Sequence, residues 1–88
     1  MTDWKTLREE LNVTEEEAQL IAFEEDLIRT MVKVREDQRL SQLELAKKCK
    51  IRQPAIARLE RGNHSPRLDT MLRVLAPLGY TLRIVPIE

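Results

Sequence analysis

The 88-residue chain predicts an all-α fold: five helices built around a short, steeply crossing pair, with a short C-terminal β-strand used in pairing with another chain. Three observations predict it. Apolar residues recur at helical spacing through most of the chain. The aromatics are only Trp4, Phe23 and Tyr80, so a 42% apolar composition must build its core from Leu, Ile, Val, Met and Ala on helices. The last residues switch to the alternating, β-branched pattern of a strand.

The elements follow in order. Asp3 is a good N-cap for residues 4–11, where Trp4, Leu7 and Leu11 form one apolar stripe. Thr14-Glu15-Glu16-Glu17 reads as a capping box, so a second helix begins at Glu15. Its apolar positions Leu20, Phe23, Leu27, Met31 and Val34 continue to Asp37 or Gln38, as one helix or as two with a bend near Phe23 to Asp26. Ser41 caps a short helix from Gln42 to Lys48. Cys49-Lys50-Ile51 turns into another from Gln53 to Arg61, and Gly62 supplies its left-handed C-cap. Leu68, Met71, Leu72, Leu75 and Leu78 define a fifth helix ended by Gly79, with Pro77 fraying or tightening its last turn. Residues 80–85 read as a strand. Since a lone strand leaves its own backbone groups unpaired, it pairs with a second copy or with a partner's sheet, or frays.

Composition excludes several functions. A single domain of this size leaves little room for a deep catalytic cleft. No nucleophile stands beside a base and no Gly-rich loop is present, so no enzyme is expected. Lone Cys49 and lone His64 make neither a disulfide nor a metal set, and no cofactor is expected. Cys49 falls at a core position and reads as a buried thiol. No stretch of about 20 uncharged apolar residues could cross a bilayer, and no secretory leader is evident, so a cytoplasmic protein is expected.

The net charge of zero conceals a division. Residues 1–26 hold nine acidic residues against Lys5 and Arg8, so they carry −7 and the remainder carries +7. The acidic part is either a solvated helix or the seat of a second partner. Three domains are expected: residues 1–26 as an acidic, partner-binding helical extension, 27–79 as the motif-bearing helical domain, and 80–88 as a dimerising strand.

The spacing Leu40-Ser41-Gln42-x-x-Leu45-Ala46-x-x-Cys49-x-Ile51-x-Gln53-x-x-Ile56-x-x-Leu59-Glu60-x-Gly62 carries the functional argument. Ala46 lets two helices cross closely, Leu45, Cys49, Ile51, Ile56 and Leu59 supply a compact core, and the short connection forces a steep crossing, which is a helix-turn-helix.

These residues resemble the Cro/C1-type (XRE) helix-turn-helix family, with the likeness running over residues 27–78. The resemblance implies that the second helix of the motif lies in the major groove. It turns Gln53, Pro54, Ala57 and Arg58 toward the bases, Gln53 suited to adenine and Arg58 to guanine. It sets Ser41, Gln42, Arg52, Arg61, Asn63 and His64 near phosphates, although for His64 an ordinary exposed loop position stays open. Arg35 and Glu60 match the family's structural ion pair. Lys50 stands where the family often has Gly, and Arg52 where it has a Ser or Thr cap.

The flanks, Trp4-Lys5-x-Leu7-Arg8, then Ser65-Pro66-x-Leu68-Asp69-Thr70-Met71 and Leu78-Gly79-Tyr80-x-Leu82, resemble the HigA antitoxins. That resemblance implies a homodimer that represses its own operon at an inverted repeat in double-stranded DNA and neutralises a RelE-fold, HigB-type mRNA-cleaving toxin. Trp4, Leu7, Arg8 and Leu11 then face the toxin, or else pack their helix onto the domain. Tyr80, Leu82 and Ile84 serve dimerisation. A freestanding repressor with no toxin, and an interaction module without DNA function, are the alternatives.

Overall fold

The computed structural model describes residues 14–87. These residues form four helices: α1 (Glu15–Asp37), α2 (Gln42–Cys49), α3 (Gln53–Arg61) and α4 (Leu68–Leu78). The five-helix architecture with a C-terminal strand is thereby corrected, because among the described residues there are four helices and no strand. The helix expected at residues 4–11 lies outside the described residues. Residues 80–87 have the alternation of a strand but no neighbouring strand to supply the ladder of hydrogen bonds that defines one. Instead Tyr80 donates its N–H to the Leu75 carbonyl at 3.0 Å and Leu82 packs half-buried on the core. Ile84, Val85 and Ile87 stay exposed.

α1 is one helix of 23 residues. Nothing in it breaks a helix: Thr14 Oγ1 accepts the Glu17 N–H at 3.1 Å, three glutamates occupy the positive first turn, and Arg35 sits in the negative last one. It ends where Arg39 takes a left-handed φ of 58° and Leu40 donates to the Arg35 carbonyl at 3.2 Å. No helix among the described residues is long and apolar enough to cross a membrane.

α2 opens with a reciprocal cap that the sequence reading noted only in part. Ser41 Oγ accepts from the Glu44 N–H at 3.0 Å, and the Glu44 carboxylate accepts from the Ser41 N–H at 2.9 Å. The signal was the spacing Ser41-x-x-Glu44. Gly62 and Gly79 close α3 and α4 at φ 68° and 89°, as expected of their positions. Lys50 occupies the same left-handed region at φ 59°, where glycine carries no Cβ penalty. Pro77 lies within the last turn of α4, which still continues to Leu78.

Ile28, Met31, Leu45, Ala46, Cys49, Ile56, Leu59, Met71, Val74, Leu75 and Leu78 form one buried core to which all four helices contribute. Ala46 is small and buried at the crossing of α2 with its neighbours, and Cys49 is a buried free thiol. Ile51 is half-buried at the edge. One ion pair runs through this apolar assembly. Arg35 Nε and Nη2 donate to the two carboxylate oxygens of Glu60 at 2.7 and 2.9 Å, and Nη1 donates to the Leu40 carbonyl at 2.7 Å. The side chains are 11% and 7% exposed, so the pair joins α1, the α1–α2 turn and α3 below the surface. Gln38 adds a second tie, its amide donating to the Leu78 carbonyl at 2.8 Å.

Removing one partner of a buried pair leaves the other charge uncompensated, so Glu60→Ala should cost about 3–5 kcal/mol of folding stability. Arg35→Met combined with Glu60→Leu should recover most of that loss in urea denaturation. The α2 cap gives a pH dependence. The Ser41 N–H, then the Ser41 hydroxyl, hold the Glu44 carboxyl below its ordinary pKa. A carboxyl more acidic when folded than unfolded stabilises above the unfolded value, about 4.3 for glutamate, and loses that contribution as pH falls through the folded value. The drop in melting temperature caused by Glu44→Ala should therefore be larger at neutral pH than at about pH 3.

Candidate nucleic-acid interface

α3 is short, capped by geometry at its end and by no side chain at its start. Arg52 takes the extended N-cap conformation at ψ 141° without a side-chain hydrogen bond to the helix. Pro54 fits the first turn because its missing N–H has no partner there to lose. Ile56 and Leu59 are buried, which turns the opposite side outward. Residues 53, 54, 57, 58 and 61 share one face of the helix by the 3.6-residue period. Pro54, Arg58 and Arg61 on it are exposed, while Gln53 and Ala57 are half-buried.

The half-burial of Gln53 has a specific cause. Its Nε2 donates to Gln42 Oε1 at 2.9 Å, and Gln42 Nε2 donates to Glu60 Oε1 at 2.8 Å. A carboxylate only accepts, so Gln42 must aim its amide nitrogen at Glu60 and its oxygen at Gln53. Gln53 must then answer with its own nitrogen. The orientation of both amides thus follows from the charge of Glu60, itself held by Arg35. Gln53 retains one amide N–H and its Oε1, which is the donor–acceptor pair that matches adenine N7 and N6 in the major groove.

The remaining expected site residues fall into five groups. Arg52, Arg61, Asn63 and His64 are exposed, at the start of α3, at its end and on the loop that follows. Ser41 is exposed, with its oxygen occupied by the α2 cap. Gln42, expected near phosphate, is half-buried and is the middle member of the network between Glu60 and Gln53. The signal for its position was available: a buried acid on α3 needs polar partners, and Gln42 opens the neighbouring helix. Trp4, Leu7, Arg8 and Leu11 lie outside the described residues. Tyr80 and Ile84 are exposed, and Leu82 rests on the core.

Two basic side chains that the sequence reading did not single out flank this face. Arg73 on α4 donates to the Lys50 carbonyl at 3.2 Å and so buttresses the left-handed turn between α2 and α3. Arg67 pairs with Asp69 at 3.1 Å on the surface, and that contact, with the Thr70 N–H, holds the Asp69 carboxyl below its usual range. Among the described residues no group of three or more His, Cys, Asp or Glu could hold a metal ion.

Comparison with known proteins agrees with this geometry. Residues 32–85 match the family described as helix-turn-helix. An uncharacterised helix-turn-helix-type transcriptional regulator of Haemophilus influenzae is 36% identical over 87 residues, covering 99% of this chain and 88% of the relative. Antitoxin HigA1 of Mycobacterium tuberculosis is 34% identical over 59 residues, covering 67% of this chain and 40% of the antitoxin. Among solved structures, a toxin–antitoxin module from Streptococcus pneumoniae superposes with a TM-score of 0.69 at 39% identity, covering 100% of this chain and 96% of that one. The chain therefore belongs to the helix-turn-helix family, a DNA-binding and non-enzymatic class.

Proposed function

We propose that the chain is the antitoxin of a toxin–antitoxin pair, which neutralises a RelE-fold, HigB-type mRNA-cleaving toxin by direct binding and represses its own operon. The DNA arm of this reading is carried by one observation. In the Arg35–Glu60–Gln42–Gln53 network one Gln53 amide N–H is engaged by Gln42, and exposed Arg58 lies on the same face of the helix, which supports Gln53 and Arg58 as base-reading residues. Gln53 and Arg58 read adenine and guanine, with Pro54 and Ala57 lining the contact. Arg52, Arg61, Asn63 and His64, with Ser41 and Gln42, sit toward the phosphates and set the register. A homodimer presents two such helices to an inverted repeat, and the exposed side chains of Tyr80 and Ile84, beside Leu82, contribute to its contact.

The toxin arm is supported by the full-length likeness to a solved toxin–antitoxin module and by the charge division of the chain. An RNA-cleaving protein binds a polyanion and so has reason to be basic, complementary to the −7 carried by residues 1–26. Trp4, Leu7 and Leu11 supply an apolar anchor within that acidic segment, with Arg8 beside them for a charged contact. A freestanding repressor is the alternative, favoured by the Haemophilus influenzae regulator, which matches almost the whole chain. Co-expression with the product of the adjacent reading frame separates the two: rescue of growth supports the antitoxin, and an unlinked, harmless neighbour supports the repressor.

Two measurements test the arms separately. Gln53→Ala and Arg58→Ala should each weaken binding to the inverted repeat in the chain's own promoter by about 1–3 kcal/mol and relax discrimination at one base pair. An unchanged affinity in the double variant, measured by mobility shift at fixed salt, refutes the base contacts. Deleting residues 1–13 should abolish rescue of growth from the toxin while operator binding persists, and full rescue by the truncated chain refutes the division of labour.

A further inference from the structure

The N-terminal half of α1 carries an apolar stripe with little beneath it among the described residues. Leu20, Phe23, Leu27, Met31 and Val34 recur along one side of the helix at intervals of three and four. Where α1 lies over the domain, Met31 is buried and Leu27 and Val34 are half-buried on the core. Further toward the N-terminus the stripe runs off the domain, and Leu20 and Phe23 stay 53% and 63% exposed. Single exposed hydrophobes are common on any surface. Two of them one turn apart, continuing a core-facing stripe, are what an interaction surface requires.

Charge identifies the occupant. Between Glu15 and Ile28 the helix carries Glu15, Glu16, Glu17, Glu24, Glu25 and Asp26 and has no Lys, Arg or His. On the side next to the stripe, Glu24 accepts a hydrogen bond from Ser65 Oγ at 3.2 Å, joining α1 to the loop after α3. Beside that bond lies a cleft of about 260 Å³, walled by Ile21, Ile28 and Pro66 and rimmed by Glu24 and Glu25. Apolar walls under a carboxylate rim suit the stem and head of a Lys or Arg side chain.

We propose that this face of α1, Leu20, Phe23 and Leu27 with Glu24 and Glu25, docks a basic protein whose contact is an apolar patch ringed by Lys and Arg. The inference rests on the antitoxin reading above and extends its toxin contact from residues 4–11 onto α1. A second copy is a poor occupant, because two such faces would set carboxylates against carboxylates. Nucleic acid is repelled by the same charge.

The test uses the full-length chain and, as probe, the purified basic product of the adjacent reading frame. By calorimetry, Leu20→Ala with Phe23→Ala should weaken binding at least about tenfold, as loss of central apolar anchors does. Glu24→Gln with Glu25→Gln should slow association and flatten its salt dependence. Operator binding and melting temperature should not change in either variant, and Phe23→Leu should restore part of the affinity. Tight binding that survives both double variants overturns the surface while leaving the antitoxin reading standing. A wild-type chain that does not bind the probe overturns both. A change in oligomeric mass by light scattering, with probe affinity intact, overturns the proposal in favour of self-association.

Discussion

The buried pair between Arg35 and Glu60 is the constraint on which the rest of this small structure depends. Taking two charges out of water costs several kcal/mol per ion, and attraction offsets that only when geometry is good and the remaining donors and acceptors are satisfied. Here they are. Glu60 receives two bonds from Arg35 and one from Gln42, while Arg35 spends a further donor on the Leu40 carbonyl. The hydrogen bond to Glu60 outweighs burial and raises the Arg35 pKa, so the guanidinium stays charged. Three elements, the end of α1, the following turn and the end of α3, are held in one register by it.

That register passes to the outward face of α3 through two amides. An isolated glutamine on a short surface helix would sample several rotamers and both amide orientations, and would pay side-chain entropy on binding. Gln53 pays less of it, because Gln42 dictates which end of its amide faces inward. The same economy shows at the turn. Lys50 accepts a left-handed conformation that costs roughly 1–2 kcal/mol in a residue with a Cβ. Its carbonyl is held by Arg73, and its N–H closes α2 on the Ala46 carbonyl. Strain in the turn is thus offset by contacts that fix the angle between α2 and α3.

Charge is arranged along the chain as sharply as apolarity. The acidic residues gather on the N-terminal half of α1, where they complement the helix dipole, and the basic ones gather after it, around α3 and its loops. The zero net charge of the whole chain is therefore a poor guide to its surface. The acidic half would repel a polyanion and the basic half would attract one.

The positions of the four described helices were legible in the sequence because they are set by local physics. Thr14 and Ser41 cap, Gly62 and Gly79 end, and the 3.6-residue period selects the buried face; each of these acts within one or two turns. The motif spacing also placed Ile56 and Leu59 inward and Arg58 outward, since on a short two-sided helix the buried residues determine the exposed ones. What only the tertiary structure decided are relations across sequence distance. Gln42 meets a glutamine 11 residues away and a glutamate 18 residues away, and so serves orientation from within the fold. Residues 80–87 keep a strand's alternation without becoming one, since a strand is defined by a neighbour and not by its own composition. Leu20 and Phe23 share the periodicity of Met31 yet stay exposed, because periodicity names the face of a helix that wants cover, and only the packing of the other elements decides how far along the helix that cover extends.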